Sequence, residues 1–237
     1  MIVTEIYNGQ GLGNQLHCYV TTRVVALDKG YEFGIMNPHK FKCLDFMDLD
    51  FGNKVTGGSG PEGGPPTSLP DGIQYYFRER DVRHPNNSYI RNDDPELENI
   101  KDNTKIDGLF QSEDRIIHRK DEIKQWLKIK PEKECYHFSS DDICVINFRG
   151  GDRLGDHEFF LDFQYWVNAI NRMLVINPRF KFVVITDDVN AARIYFPSFD
   201  VYHYDIATDY SIIKNSKFLI LSNSSFPYFA TLCSDTI

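Results

Sequence analysis

The run Val145-Ile-Asn-Phe-Arg-Gly-Gly-Asp152 decides how this chain is read. A strand-prone segment leads one arginine into a glycine turn that an aspartate closes. An open parallel α/β sheet offers a cation to an anionic ligand in this way, at the carboxyl end of a strand. The same residues also allow a plain structural ion pair between Arg149 and Asp152, so the segments around the run have to decide between the two readings.

Downstream, helical spacing of Phe163, Trp166, Val167, Ile170 and Leu174 predicts a helix over 161–176. Apolar runs predict strands at 143–148, 180–186 and 218–222, an alternation that implies a parallel α/β lobe. Two of these strands end in polar turns, Thr186-Asp-Asp188 and Ser222-Asn-Ser-Ser-Phe-Pro227. Pro227 suits a first helical turn, so Ser224 or Ser225 is a natural N-cap and the amides behind it a natural phosphate site. An ordinary capped helix accounts for the same residues. The chain stops soon after, which fits a shortened second lobe.

Upstream, strand-like Ile2 to Tyr7 leads into Asn8-Gly-Gln-Gly-Leu-Gly-Asn-Gln15. Leu16, Val20, Val24 and Leu27 follow at helical spacing, then Gly30 and a second strand over 31–36, giving a βαβ unit. A glycine turn between strand and helix commonly serves phosphate. The dinucleotide pattern fails, because Asn14 or Leu16 stands where its last glycine belongs, and no Gly-Lys-Ser/Thr follows for a P-loop. What remains is Gly-x-Gly-Asn-Gln, a carboxamide pair where the helix begins. Residues 52–72 hold seven glycines and four prolines, which predicts an exposed mobile loop or lid. A strand near Ile106 enters Gly108-Leu-Phe-Gln-Ser-Glu113, and a charged helical stretch carries Ile116, Ile117, Ile123, Trp126 and Leu127. The charged, proline-containing segment 128–140 reads as the connection, dividing the chain into an N-terminal lobe, 1–135, and a C-terminal lobe, 136–237.

With 41% hydrophobic residues in 237, the chain buries a substantial core. Its 34 acidic residues against 26 Lys plus Arg leave a formal charge of −8, which excludes a general footprint for nucleic acid or anionic membrane. Any anionic ligand needs a local basic site. Five scattered cysteines without a Cys-x-x-Cys argue against zinc and against a disulfide framework, and a chain with neither signal peptide nor membrane span is expected in the cytoplasm. Asn86-Asn-Ser88 and Asn223-Ser-Ser225 spell glycosylation sequons, which chance explains.

Taken in order, Gly11-Leu-Gly-Asn-Gln15, Gly108-Leu-Phe-Gln-Ser-Glu113, Phe148-Arg-Gly-Gly-Asp152, Tyr165 with Asn168-Ala-Ile170, Thr186-Asp-Asp188 and Leu221-Ser-Asn-Ser-Ser-Phe226 resemble the α-1,2-fucosyltransferase family. The likeness extends to the wider group of fucosyltransferases sharing its donor-binding lobe, and covers nearly the whole chain. Three departures stand out. Asn147 replaces a histidine, Gly150 a second arginine, and Pro227-Tyr228 the tryptophans that usually follow the serine motif.

The resemblance implies an α/β protein of GT-B type, two Rossmann-like lobes facing across a cleft, that moves fucose from GDP-fucose to a glycan hydroxyl with inversion, in α-1,2 linkage to a galactoside. Its partners are then a nucleotide sugar and a glycan acceptor, with no cofactor and no metal. By the same resemblance Arg149 contacts the GDP β-phosphate, where a planar fork binds phosphate oxygens bidentately and stabilises the leaving diphosphate. Asn14 is the second catalytic residue, near the fucose, with Gly11 and Gly13 permitting close backbone approach. Asp187 or Asp188 meets guanine or ribose, Ser224, Ser225 and the Phe226 amide hold phosphate, Asn223 belongs to the same donor site, and Asp152 orients Arg149. The oxocarbenium-like transition state calls for a general base. Asp156, His157 and Glu158 are nearest in sequence, and none is assigned.

Two rivals stand beside this reading. Asp48-Leu-Asp50, in an aromatic run read as a strand or turn, has the spacing of a metal-dependent glycosyltransferase. Asn147 and Gly150 fit a nucleotide- or sugar-binding module that has lost turnover.

Overall fold

The computed structural model describes residues 1–62, 64–80, 82–83, 90–91, 94–151 and 160–235, with backbone alone at 82–83 and 90–91. The described chain divides into two compact units, Met1–Leu44 with Asp48–Leu127, and Asp45–Met47 with Lys128–Ile237. Lys128 to Cys135 therefore belong to the second unit. Residues 45–47 also belong there: Phe46 lies 5.8 Å from the Tyr210 ring, accepts from Lys130 N–H at 2.9 Å, and Met47 bridges Ile129. The aromatic run at 46–51 is thus a point where the chain passes between units.

The first unit contains β1 (Ile2–Glu5), α1 (Leu12–Lys29), β2 (Phe33–Met36), β3 (Gly57–Ser59), β4 (Ser68–Pro70), β5 (Tyr75–Arg78), β6 (Val82–Arg83), β7 (Ile90–Arg91), β8 (Thr104–Asp107) and α2 (Lys120–Trp126). Its main sheet has the order β2-β1-β8-β5, all parallel, with Ile2 opposite both Phe33 and Thr104. Both faces of β1 are covered, so Ile2, Val3 and Thr4 are all buried, as parallel strands require. Helix α1 buries Leu16, Val20 and Val24 and ends at Gly30, whose φ of 68° closes the last turn as only glycine does without strain. Leu27 departs from the expected stripe and is 47% exposed. The segment 52–72 is structured in part: its start pairs with β2 through Gly34 and Gly52, and β3 and β4 form an antiparallel hairpin fastened by the hydroxyls of Ser59, Thr67 and Ser68. Those small polar side chains supply the cross-strand bonds that the glycines cannot.

The second unit contains β9 (Ile143–Phe148), α3 (Phe163–Ile176), β10 (Lys181–Thr186), α4 (Val189–Tyr195), β11 (Asp200–Tyr202), α5 (Ile206–Asn215), β12 (Leu219–Leu221) and α6 (Ser225–Leu232). The order is β11-β10-β9-β12, all parallel. Successive side chains of β9 go to opposite faces. Cys144, Ile146 and Phe148 join Trp166 of α3 and Ala191 and Ala192 of α4, while Val145 meets Ile212 of α5. Helices therefore cover both faces, a doubly wound sheet. Phe148 sits among Tyr195, Trp166 and Phe196 with ring centroids 5.3, 5.5 and 5.5 Å away, anchoring the residue before Arg149. Phe163, expected on the buried side of its helix, is its first residue and 58% exposed.

Candidate functional site

In the second unit the chain runs from β9 outward to β10 and β11, then returns to the other side of β9 as β12. The strand order reverses between β9 and β12, and the crevice at their carboxyl ends is where open α/β sheets bind ligands. Arg149 follows β9 and Ser222 to Phe226 follow β12, so two of the motif segments meet at that reversal, with a third, Asp187 and Asp188, beside them at the end of β10.

Arg149 pairs with Asp187, at 2.8 Å from Nη1 to Oδ2. Its other oxygen accepts the Gly150 N–H at 3.0 Å. A Cβ at Gly151, where φ is +34°, would stand 2.5 Å from the same carboxylate, so the second glycine is required for this close approach. Asp152, expected to orient the arginine, lies outside the described residues, as do Asp156, His157 and Glu158. Asp187, at the end of β10, holds the guanidinium. Asp188 caps α4, accepting from Ala191 N–H at 3.0 Å.

Two of the three departures from the motif pattern, Asn147 and Gly150, are built into the packing. Asn147 Oδ1 accepts from the Ser222 hydroxyl at 2.8 Å and its carbonyl from Ser222 N–H at 2.9 Å, tying β9 to the turn after β12. Gly150 has no room for a side chain, since a Cβ there would lie 2.8 Å from the Asp188 Cβ and 3.3 Å from that of Ala191. Tyr165 of α3 donates to the Leu221 carbonyl at 2.6 Å, fixing the end of β12. Ser224 is the N-cap of α6 and accepts the Phe226 amide at 3.3 Å; Ser225 opens the helix, and Asn223 is exposed.

The first unit repeats the logic. Its strand order reverses between β1 and β8, whose following loops carry two more of the motifs. The Gln111 amide donates to Asn14 Oδ1 at 2.8 Å, joining them. Gln15 is structural: buried, it donates to the Lys40 carbonyl and accepts from Lys42 N–H, both at 3.0 Å. Gly13 is buried within α1. Gly11 is different, because its φ of −68° suits any residue and a Cβ there would meet nothing within 4 Å. Neither backbone nor packing requires glycine at that position.

Sequence reading missed Glu79. One of its carboxylate oxygens accepts the N–H groups of Leu109 and Phe110, both at 2.8 Å, and shapes the loop that carries Gln111, including Phe110 at φ 51°. Burial pushes the Glu79 carboxyl up and lowers His17 to about 4, so His17 is neutral near pH 7. Burial likewise raises Cys18 to about 12, leaving its thiol inert. None of the five cysteines is in a disulfide.

Asp50 of the Asp-x-Asp triplet accepts from Gly52 N–H at 2.9 Å and faces Arg23 at 3.5 Å. Among the described residues, no helix is long and apolar enough to cross a membrane.

No protein-family model matches the sequence, and no curated protein does. Solved structures do. NodZ α-1,6-fucosyltransferase soaked with GDP-fucose aligns over 98% of this chain and 92% of its own, at 16% identity and a TM-score of 0.53. POFUT1 in complex with GDP aligns over 98% and 93%, at 10% identity and 0.52. A variant of Arabidopsis thaliana FUT1 in complex with GDP aligns over 98% and 68%, at 11% identity and 0.51. Likeness at such identities is one of fold: the chain is an α/β protein with two Rossmann-like units, of the GT-B type found in these fucosyltransferases.

Proposed function

We propose that this protein transfers fucose from GDP-fucose to a hydroxyl of a glycan acceptor, with inversion at the fucosyl carbon and without a metal. The observation that carries the reading is Arg149, pre-oriented by Asp187 at the strand-order reversal of the second unit and flanked by the N-terminus of α6. Asp187 holds the guanidinium through Nη1, and the planar fork it holds is the group that matches a diphosphate. The Ser224 and Ser225 hydroxyls would add donors to the phosphates, and the Phe226 amide, which donates to Ser224 Oγ at 3.3 Å, would join them where the phosphate displaces that cap. Asp188 and Asn223 would serve the guanine or ribose.

As the bond from the fucosyl carbon to GDP lengthens, negative charge grows on the β-phosphate and positive charge on the sugar ring. Arg149 would stabilise the first by a charge-assisted pair that strengthens in the transition state. Asn14, steadied by Gln111, we assign to the fucose side of the donor. Gly11 supports this, because a glycine that the protein itself does not need fits close approach by a ligand. The finer assignment, transfer to the 2-hydroxyl of a galactoside, rests on the order of the sequence motifs.

The test is a GDP-fucose turnover assay across galactosides and other glycans, with and without excess EDTA, and product linkage read by NMR. EDTA-resistant transfer giving an α-1,2 galactoside is expected. GDP binding without transfer to any acceptor would reduce the protein to a binding module, and loss of turnover in EDTA would restore the metal-dependent reading.

A further inference from the structure

Within the first unit, a cavity of about 260 Å³ opens at the carboxyl ends of β1 and β2 beneath the β3–β4 hairpin. Its floor carries Glu5, Asn37 and Lys105, and its roof is the hairpin with Ser59 and Ser68. Lys105 is a nearly buried cation, its side chain 5% exposed, donating to Glu5 Oε2 at 2.8 Å and facing Asp107 at 3.5 Å. Asn37 donates to the other Glu5 oxygen at 3.0 Å. A buried ion pair adds little stability over an apolar pair of the same volume, so its place on a cavity floor calls for another reason.

The count of hydrogen-bonding groups supplies one. An ammonium offers three donors, of which Glu5 takes one while Asp107 at 3.5 Å is an ion pair rather than a hydrogen bond; a carboxylate offers about four acceptor sites, and Asn37 and Lys105 use two of those on Glu5. The floor therefore retains both a donor and acceptors side by side. A hydroxyl, which donates and accepts at once, matches that pairing. Charge points the same way, because Glu5 and Glu62 balance Lys105 and Lys40 around the cavity and favour neither an anion nor a cation. Met36, Pro61 and Pro66 add aliphatic wall for the C–H groups of a ring. At the small end of ligand sites, the volume suits one ring rather than a chain. Glu62 secures the roof, pairing with the Lys40 ammonium and accepting from Asn8 N–H at 3.1 Å.

We propose that this cavity seats a single neutral pyranose residue of the acceptor, held through its hydroxyls by Glu5, Asn37 and Lys105 under the hairpin; the identification as acceptor rests on the transferase reading above. The experiment titrates the intact chain with methyl glycosides of the common neutral hexoses, with glucuronate and with GDP as separate arms, followed by ligand-observed NMR and calorimetry. At least one neutral methyl glycoside should bind in the millimolar range, and glucuronate about tenfold more weakly. Ser68→Phe, at an exposed hairpin position, should fill the cavity and weaken glycoside binding about tenfold while the melting temperature and GDP binding stay unchanged. Glu5→Gln, which keeps the shape, should weaken it in the same direction. If no neutral glycoside binds while GDP does, or Ser68→Phe and Glu5→Gln bind glycoside as the native chain does, the cavity is not a sugar site. Glycoside binding lost in Ser68→Phe by a chain that ignores GDP would uphold the sugar site and overturn the transferase reading.

Discussion

Arg149 and Asp187 are both partly exposed, 39% and 27%, and pairs of that kind contribute at most about 1 kcal/mol to stability. The two roles open to the arginine therefore separate cleanly. Arg149→Lys keeps the charge and loses the fork, so turnover of GDP-fucose should fall about a hundredfold, or about 2.7 kcal/mol of transition-state stabilisation, with the melting temperature nearly unchanged. Turnover and melting curves measured side by side decide it, and normal turnover in the lysine variant would remove Arg149 from the chemistry. A second residue-scale effect concerns Asp209, which burial raises to about 6 although it accepts Tyr204 N–H at 3.1 Å and lies 3.2 Å from His203 Nδ1. In the unfolded chain its pKa is near 3.9. A carboxyl raised on folding contributes stability that is complete below about pH 4 and lost as pH rises through about 6. Asp209→Asn should flatten that part of the stability profile, read from denaturant unfolding at successive pH values; an unchanged slope between pH 4 and 6 would sink the assignment.

Loops and short elements carry the site, and each can be tested as a unit. The loop after β1 ends at Gly11, an N-cap without a side chain, so Gly11→Ala should cost about 1 kcal/mol or less in stability. If the space beside it serves the donor, the same variant should raise the KM for GDP-fucose severalfold, a change that helix capping does not explain. The hairpin is a second unit. Expected from composition as a mobile loop, the segment 52–72 instead divides: its first residues pack on β2, with Asn53 O and Val55 against Gly34, while β3 and β4 form a hairpin tied down through Glu62 to Lys40 and Asn8. Replacing the hairpin by a short glycine linker should therefore change stability by about 1 kcal/mol or less and leave GDP binding intact while acceptor use is lost. A collapse in melting temperature, or an equal loss of GDP binding, would place the hairpin in the core or the donor site.

For the molecule as a whole, GDP and GDP-fucose should raise thermal stability by several degrees where UDP, ADP and NAD do not, because a ligand that binds only the folded state shifts unfolding by mass action. A larger shift with UDP or NAD would overturn the donor. Much of the architecture was legible because parallel strands buried on both faces read as unbroken apolar runs: β9, β10 and β12 stand within two residues of their expected bounds, as does the start of α3. The short strands β5 and β11 carried no such run, and Leu27 and Phe163 fit a periodic stripe yet lie at helix ends, beyond the reach of the sheet. The amino-acid sequence by itself determined the alternation of strands and helices, the glycine turns and the identity of Arg149, since these follow from neighbours a few residues apart. Only the tertiary structure decided that Asp187 holds Arg149, that Glu79 shapes the loop of Gln111, that Gly150 has no room for an arginine, and that residues 45–47 join the second unit. Those facts depend on which strand lies beside which, and strand order is set by the packing of both sheet faces at once rather than by any local stretch of chain.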